Sequence, residues 1–254
     1  MKGKITLIQI LLIFVLVICG TNMYKDRAEN KKEEDEFEDI AQSVEVVVTR
    51  EPTSTAIPDE KEERLKKYSE LYKKNKETIG WIRIKGTKID YPVMHNVQSN
   101  AYYLHRNFNR EYSSSGIPFL DYQCKGDATS DNSIIYAHNM RNGTMFHDLL
   151  NYKDASFYAS HAMIEFDTLT ELGRYEIFAV LRTKVGGENE FKYYDFIDAH
   201  NPADFDSFIA ECLNRSLYKT QIIPRYGDKI LTLSTCSYNT DNERFVVFAR
   251  KITV

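Results

Sequence analysis

Hydrophobic and polar positions divide the chain into three regimes. Residues Ile5 to Cys19 form an almost unbroken apolar run, with Thr6 and Gln9 as its only polar members. With Gly20 and Thr21 the run reaches about the lower length limit for a spanning helix. The next stretch is polar. Lys31 to Asp39 is nearly all charge, and Pro52 and Pro58 interrupt any regular pattern. Such a composition buries too little surface to fold, so residues 23–59 are predicted as a flexible stalk. Val44 to Val48 reads as a short strand or, more simply, as a fragment of that linker.

From residue 60 the pattern becomes globular. Leu65, Tyr68, Leu71 and Tyr72 recur at helical spacing, which predicts a helix over Glu60 to Lys76 with Gly80 as its stop. Short strand-like segments follow at Trp81 to Ile84, Ile89 to Val93, Ile117 to Asp121 and Ser133 to Ala137, separated by Gly, Asn, Ser and Asp clusters. Met145 to Asn151 is a short helical candidate. Met163 to Phe166 and Arg174 to Arg182 read as a hairpin around Gly173. A later helix is marked by Asn201 as cap, Pro202 in the first turn and Asp204 at the positive end of the dipole. Its apolar face, Phe205, Phe208, Ile209, Cys212, Leu213 and Leu217, makes Cys212 a core residue. Lys229 to Ser237 and Arg244 to Ile252 are the last two strands. The fold class is mostly β with peripheral helices, and the spacing fits a barrel or sandwich.

The N-terminal run has three readings. An uncleaved membrane anchor over residues 1–22 is preferred. A cleaved signal peptide lacks a clean small-x-small site, and a lipoprotein-type signal ending at Cys19 has Ile18 where a small residue belongs. Each of them exports the remainder. Lys2 and Lys4 before the run are balanced by Lys25, Arg27, Lys31 and Lys32 after it, so charge does not fix the orientation. A short N-terminal tail before a large domain favours a single span with residues 60–254 on the extracellular face.

Composition narrows the chemistry. The net charge of −4 argues against a nucleic-acid partner. The four cysteines include no C-x-x-C pair, which fits neither a zinc site nor a dense disulfide framework. Cys124 has no partner at a suggestive spacing and is read as free. His95, His105, His147, His161 and His200 show no pairing that points to a metal, and no metal or cofactor is expected.

Cys236 ends the short strand Ile230-Leu231-Thr232-Leu233-Ser234-Thr235-Cys236. A thiol there is held from behind and open in front, as a nucleophile requires, although that segment alone reads more simply as a buried structural cysteine. His138 ends another strand, where a hydrogen-bonded loop histidine is the plainer reading in isolation. Arg244 opens the strand after the cysteine loop. If the last two strands pair as a hairpin, Cys236 and Arg244 face each other at its mouth. Together the three suit acyl transfer: thiolate attack on a carbonyl, imidazolium protonation of the leaving amine, guanidinium stabilisation of the oxyanion. A phosphatase loop is disfavoured, because seven residues separate Cys236 from Arg244 and no glycine-rich cradle lies between them.

Thr232-Leu233-Ser234-Thr235-Cys236 matches the T-L-x-T-C signature of sortases, the cysteine transpeptidases of Gram-positive-type cell envelopes. Ile135-Tyr136-Ala137-His138-Asn139-Met140 resembles the family's histidine segment, and Arg244-Phe245-Val246-Val247 its arginine strand. Gly80-Trp81-Ile82, Tyr91-Pro92-Val93 and Tyr103-Leu104 leading to Phe108 resemble the class B branch. So do the helix at the start of residues 60–254 and the long helix before the penultimate strand. Ala137 departs from the glycine often found before the histidine, which is tolerable if its backbone keeps ordinary strand angles.

The resemblance implies a sortase-type β-barrel with Cys236 as nucleophile, His138 as general acid and base, and Arg244 as oxyanion and substrate-positioning group. Ser234 matches a class B substrate-contact position, and Asn100, Leu104 and Tyr136 resemble pocket-lining positions. It also implies the reaction. A sorting motif of an exported protein is cleaved after its Thr through a thioacyl intermediate, and a peptidoglycan amine takes the acyl group. The implied partners are therefore such exported proteins and a peptidoglycan precursor, with the membrane holding the N-terminal helix and no Ca²⁺ needed. Two alternatives stay open: a cysteine hydrolase using the same site, and an inactive membrane-tethered binding domain.

Overall fold

A computed structural model describes residues 7–44, 57–187, 190–236 and 242–252. The first element is a single helix, α1 (Leu7–Val44). Its apolar residues from Ile10 to Ile18 are exposed. Among the described residues no helix is long and apolar enough to cross a membrane, so the span expected over residues 1–22 is not found there. The expected stalk also differs, since helix continues to Val44 and resumes at Ile57 as α2 (Ile57–Lys74). Ala, Glu, Lys and Gln are strong helix formers, and no Gly or Pro occurs between Thr21 and Glu51. A helix already nucleated upstream extends through such residues at little cost. Residues 45–48 of the short strand considered at Val44 to Val48 lie outside the described residues.

The globular part is a closed barrel. Its strands are β1 (Thr78–Arg83), β2 (Asp90–Met94), β3 (Phe119–Leu120), β4 (Asn132–Tyr136), β5 (Met163–Thr168), β6 (Arg174–Lys184), β7 (Ile230–Cys236) and β8 (Glu243–Lys251). They close in the order β1-β2-β3-β4-β7-β8-β6-β5. Closure leaves no edge strand unpaired. The β2–β3 and β4–β7 pairings are parallel, and the others are antiparallel. Trp81, Ile82, Ile134, Phe166, Ile177, Leu233 and Phe245 are all buried in this framework.

Two helices seal it. On α2, Tyr68 stacks on Trp81 with ring centroids 6.3 Å apart. The Tyr68 hydroxyl donates to Asp167 at 2.6 Å, and Arg64 pairs with the same carboxylate. The helix stops at Lys74, earlier than the predicted Lys76. Asn75 ends it by accepting from the Glu77 amide at 3.0 Å and donating to the Phe108 carbonyl at 2.7 Å. Gly80 is no helix stop: it lies inside β1, where a Cβ would sit 1.9 Å from the Asp167 carbonyl oxygen. The helix α4 (Pro202–Arg215) follows its predicted cap, with Asn201 Oδ1 accepting from the Asp204 amide at 3.1 Å. Phe205, Phe208, Ile209 and the fully buried Cys212 pack on Phe178, Tyr193 and Phe248. A short 3₁₀ stretch (His147–Lys153) replaces the helix expected over Met145 to Asn151, and the one-turn α3 (Ala155–Ser160) follows it.

Candidate active site

The polar residues that precede Cys236 in β7 are all buried, and each has a partner. Thr232 donates to Asn132 Oδ1 at 2.7 Å, Ser234 shares a 2.7 Å bond with the Tyr193 hydroxyl, and Thr235 donates to the Ala137 carbonyl at 2.8 Å. These bonds offset the cost of placing hydroxyls inside a barrel. They also fix the strand that ends in Cys236. The backbone of Cys236 is paired with Arg244 in β8, as a hairpin of the last two strands requires.

On its other side β7 runs parallel to β4, with Tyr136 opposite Ser234. The Ala137 amide donates to the Ser234 carbonyl at 3.3 Å, so the pairing carries one residue beyond β4. The ladder keeps a constant offset of 98 positions, 234 − 136, and ends two residues short of both His138 and Cys236. His138 follows in the loop, where the contacts of that loop set its position. Positive φ among the described non-glycine residues occurs at Arg110, Ala128 and Met145. Ala137 is not one of them, so its departure from glycine carries no backbone strain.

The loop after His138 is pinned. The His138 carbonyl accepts from the Phe146 amide at 2.9 Å, Asn139 bridges to Met145, and the Met145 amide donates to the Tyr91 hydroxyl at 3.1 Å. Gly143 makes the turn at φ +85°. The imidazole is fixed as well: its Nε2 lies 2.9 Å from the Leu104 carbonyl oxygen. A carbonyl only accepts, so Nε2 carries the hydrogen and Nδ1 is the nitrogen that titrates. Burial pushes the His138 pKa below its ordinary value; the Leu104 carbonyl opposes this, and His105, its ring 5.4 Å away, adds to it.

A cavity of about 340 Å³ opens between these elements. Asn100, Leu104, Tyr136, His138, Ser234 and Arg244 line it, so six of the seven residues singled out from sequence share one wall system. The seventh, Cys236, is joined to the site by its register with Arg244. The Arg244 guanidinium donates to the Glu243 carbonyl at 3.1 Å. Ala101, Phe119, Ala137 and Thr235 complete the lining. Phe119 lies inside the predicted strand Ile117 to Asp121, where an apolar residue reads as core and nothing local marks it as cavity lining. Its ring stands 5.6 Å from that of Tyr136, the residue paired with it across β3 and β4.

The other described thiols stand apart from this chemistry. Cys124 is buried and unbridged, and burial pushes its pKa up to about 12. Cys212, in the α4 core, is pushed well above its ordinary value by the same cause.

The Sortase domain family matches residues 82–252. Sortase B of Staphylococcus aureus is 30% identical over 256 residues, spanning 100% of this chain and 99% of the relative. A solved Staphylococcus aureus sortase B–substrate complex aligns with a TM-score of 0.76 at 28% identity, covering 89% of this chain and 99% of that one. A sortase B complexed with Gly3 aligns with a TM-score of 0.75 at 29% identity, covering 89% of this chain and 100% of that one. With the barrel, the family match and relatives of full length in agreement, the chain belongs to the sortase family of cysteine transpeptidases, in its class B branch.

Proposed function

We propose that Cys236, His138 and Arg244 carry out acyl transfer at this cavity, joining exported proteins to a peptidoglycan amine. The observation that carries the proposal is the double register of β7. One neighbour pairs Arg244 with Cys236, and the other pairs Tyr136 with Ser234, two residues before His138 and Cys236 respectively.

The Cys236 thiolate attacks the carbonyl carbon of the sorting-motif Thr. The oxyanion that forms is stabilised by the Arg244 guanidinium. As the C–N bond breaks, His138 gives the leaving amine its proton from Nδ1, because Nε2 is held on Leu104. A thioester remains. An incoming amine then attacks it, neutral His138 takes the amine proton, and the thiolate departs. Asn100, Leu104, Tyr136 and Ser234 form the substrate-facing wall. A sortase B solved with substrate and another with Gly3 support a peptide donor and an amine acceptor for this chain as well.

The electrostatics support slow chemistry. Ordinary thiol and imidazole pKa values of about 8.5 and 6.5 leave roughly one per cent of the pair as thiolate and imidazolium at neutral pH. Burial of His138 lowers that fraction.

Incubation of the full chain with a Thr-centred peptide library and triglycine tests the proposal. It predicts an amide product. Acid alone would assign a hydrolase, and intact peptide would assign a binding domain.

The exposed apolar residues Ile10 to Ile18 support attachment of α1 to a membrane surface on the extracellular side. Sedimentation of the full chain with phospholipid vesicles tests this. Retention in the vesicle fraction is expected, and release into the supernatant would remove the proposal.

A further inference from the structure

Asp121 follows β3 and is 2% exposed. It does not line the cavity, yet it touches a residue that does. Its Oδ2 accepts from Asn100 Nδ2 at 2.8 Å. Its Oδ1 accepts from the Gln123 amide at 2.9 Å, and its own amide donates to the Ile134 carbonyl at 2.8 Å. The carboxylate is therefore fastened to the backbone at Gln123, and the Asp121 backbone to Ile134.

A carboxylate oxygen accepts hydrogen bonds. This constrains Asn100. Asn100 must direct its NH₂ to Asp121, and its Oδ1 accepts from the Tyr122 amide at 2.8 Å. Both ends of the amide are thus assigned, and it cannot flip. A single buried carboxyl group helps set the orientation of this side chain on that side of the cavity.

We propose that Asp121 is a positioning residue for the substrate wall, fixing the orientation and rotamer of Asn100 so that the sorting peptide meets a preorganised surface. This rests on the transpeptidase reading above and goes beyond it by assigning an affinity determinant outside the cavity. Replacement by asparagine puts an NH₂ where only an acceptor satisfies the neighbours. The wall then reorganises while the thiol chemistry is untouched.

The test is steady-state transpeptidation by the full chain carrying Asp121→Asn, Asn100→Ala or both. Asp121→Asn is expected to raise KM for the sorting peptide about tenfold, the fold-change from losing one hydrogen bond to a charged group, with kcat within about threefold. In the Asn100→Ala background the same change is expected to have a much smaller effect, because the two act through one contact. An unchanged KM in folded Asp121→Asn, or full additivity with Asn100→Ala, overturns the inference and leaves the transpeptidase reading standing. A wild type inert towards every sorting peptide overturns that reading instead. If Asp121→Asn does not fold, the wild type is read by NMR. Slow solvent exchange of the Asn100 side-chain amide protons supports the inference, and exchange as fast as an exposed asparagine overturns it.

Discussion

The two flanks of β7 hold the site in different ways. Towards β8 the contact is an antiparallel ladder from Ile230–Arg250 to Cys236–Arg244, uninterrupted to its last pair. Towards β4 the parallel ladder ends at Tyr136–Ser234, and Thr235 Oγ1 and the Ala137 amide continue the contact. One flank sets the backbone of Arg244 by strand pairing, and its guanidinium donates to the Glu243 carbonyl. The other positions His138 through one buried hydroxyl, a pinned loop and the Leu104 carbonyl. The β8 flank is therefore tolerant of side-chain changes between its ends, whereas the β4 flank depends on individual polar atoms.

Substitutions can break this comparison at four levels. Cys236→Ala removes the group both flanks serve, and peptide cleavage is expected to disappear with the melting temperature unchanged; residual turnover would place the nucleophile elsewhere. Arg244→Ala, on the β8 flank, is expected to cost about 10²- to 10³-fold in kcat, the range for loss of one oxyanion donor. Its circular dichroism should match the wild type, because the ladder is made by backbone. Thr235→Val tests the β4 flank. It keeps the side-chain volume and strips the Ala137 carbonyl of its buried donor, so chemical denaturation should show a loss of about 1–3 kcal/mol. A loss below that range would mean the flank is held by its backbone after all.

The smallest expected effect concerns pH. His105 lowers the His138 pKa, so His105→Asn should raise it. A higher imidazole pKa moves the acidic limb of the kcat/KM profile to higher pH and enlarges the thiolate–imidazolium fraction near neutrality. A limb that stays in place would show that burial alone sets the value.

The same asymmetry explains what could be read from the amino-acid sequence. The β7–β8 hairpin joins segments close along the chain, so pairing of Cys236 with Arg244 followed from length and pattern. The β4–β7 pairing spans 98 positions, and nothing local in Asn132 to Tyr136 names its neighbour. There the family resemblance of the histidine segment supplied the link. Asn201, Pro202 and the apolar face of α4 were legible because capping and periodicity are local. Gly80 was misread because its need arises from the Asp167 carbonyl across the sheet. Asp121 closed a predicted strand, but its role comes from Asn100, distant along the chain. The helix through residues 23–44 was missed because high charge was weighed above strong helix propensity.

The account centres on a sulfur that is acylated and then discharged by an amine. Intact-mass spectrometry of the full chain mixed with a cleavable sorting peptide, before and after triglycine is added, tests this most directly. The predicted result is a mass gain equal to the acyl fragment, mapped to Cys236, that vanishes as a triglycine amide appears. An adduct on another residue, or acyl-enzyme that yields only free acid in the presence of triglycine, would contradict it.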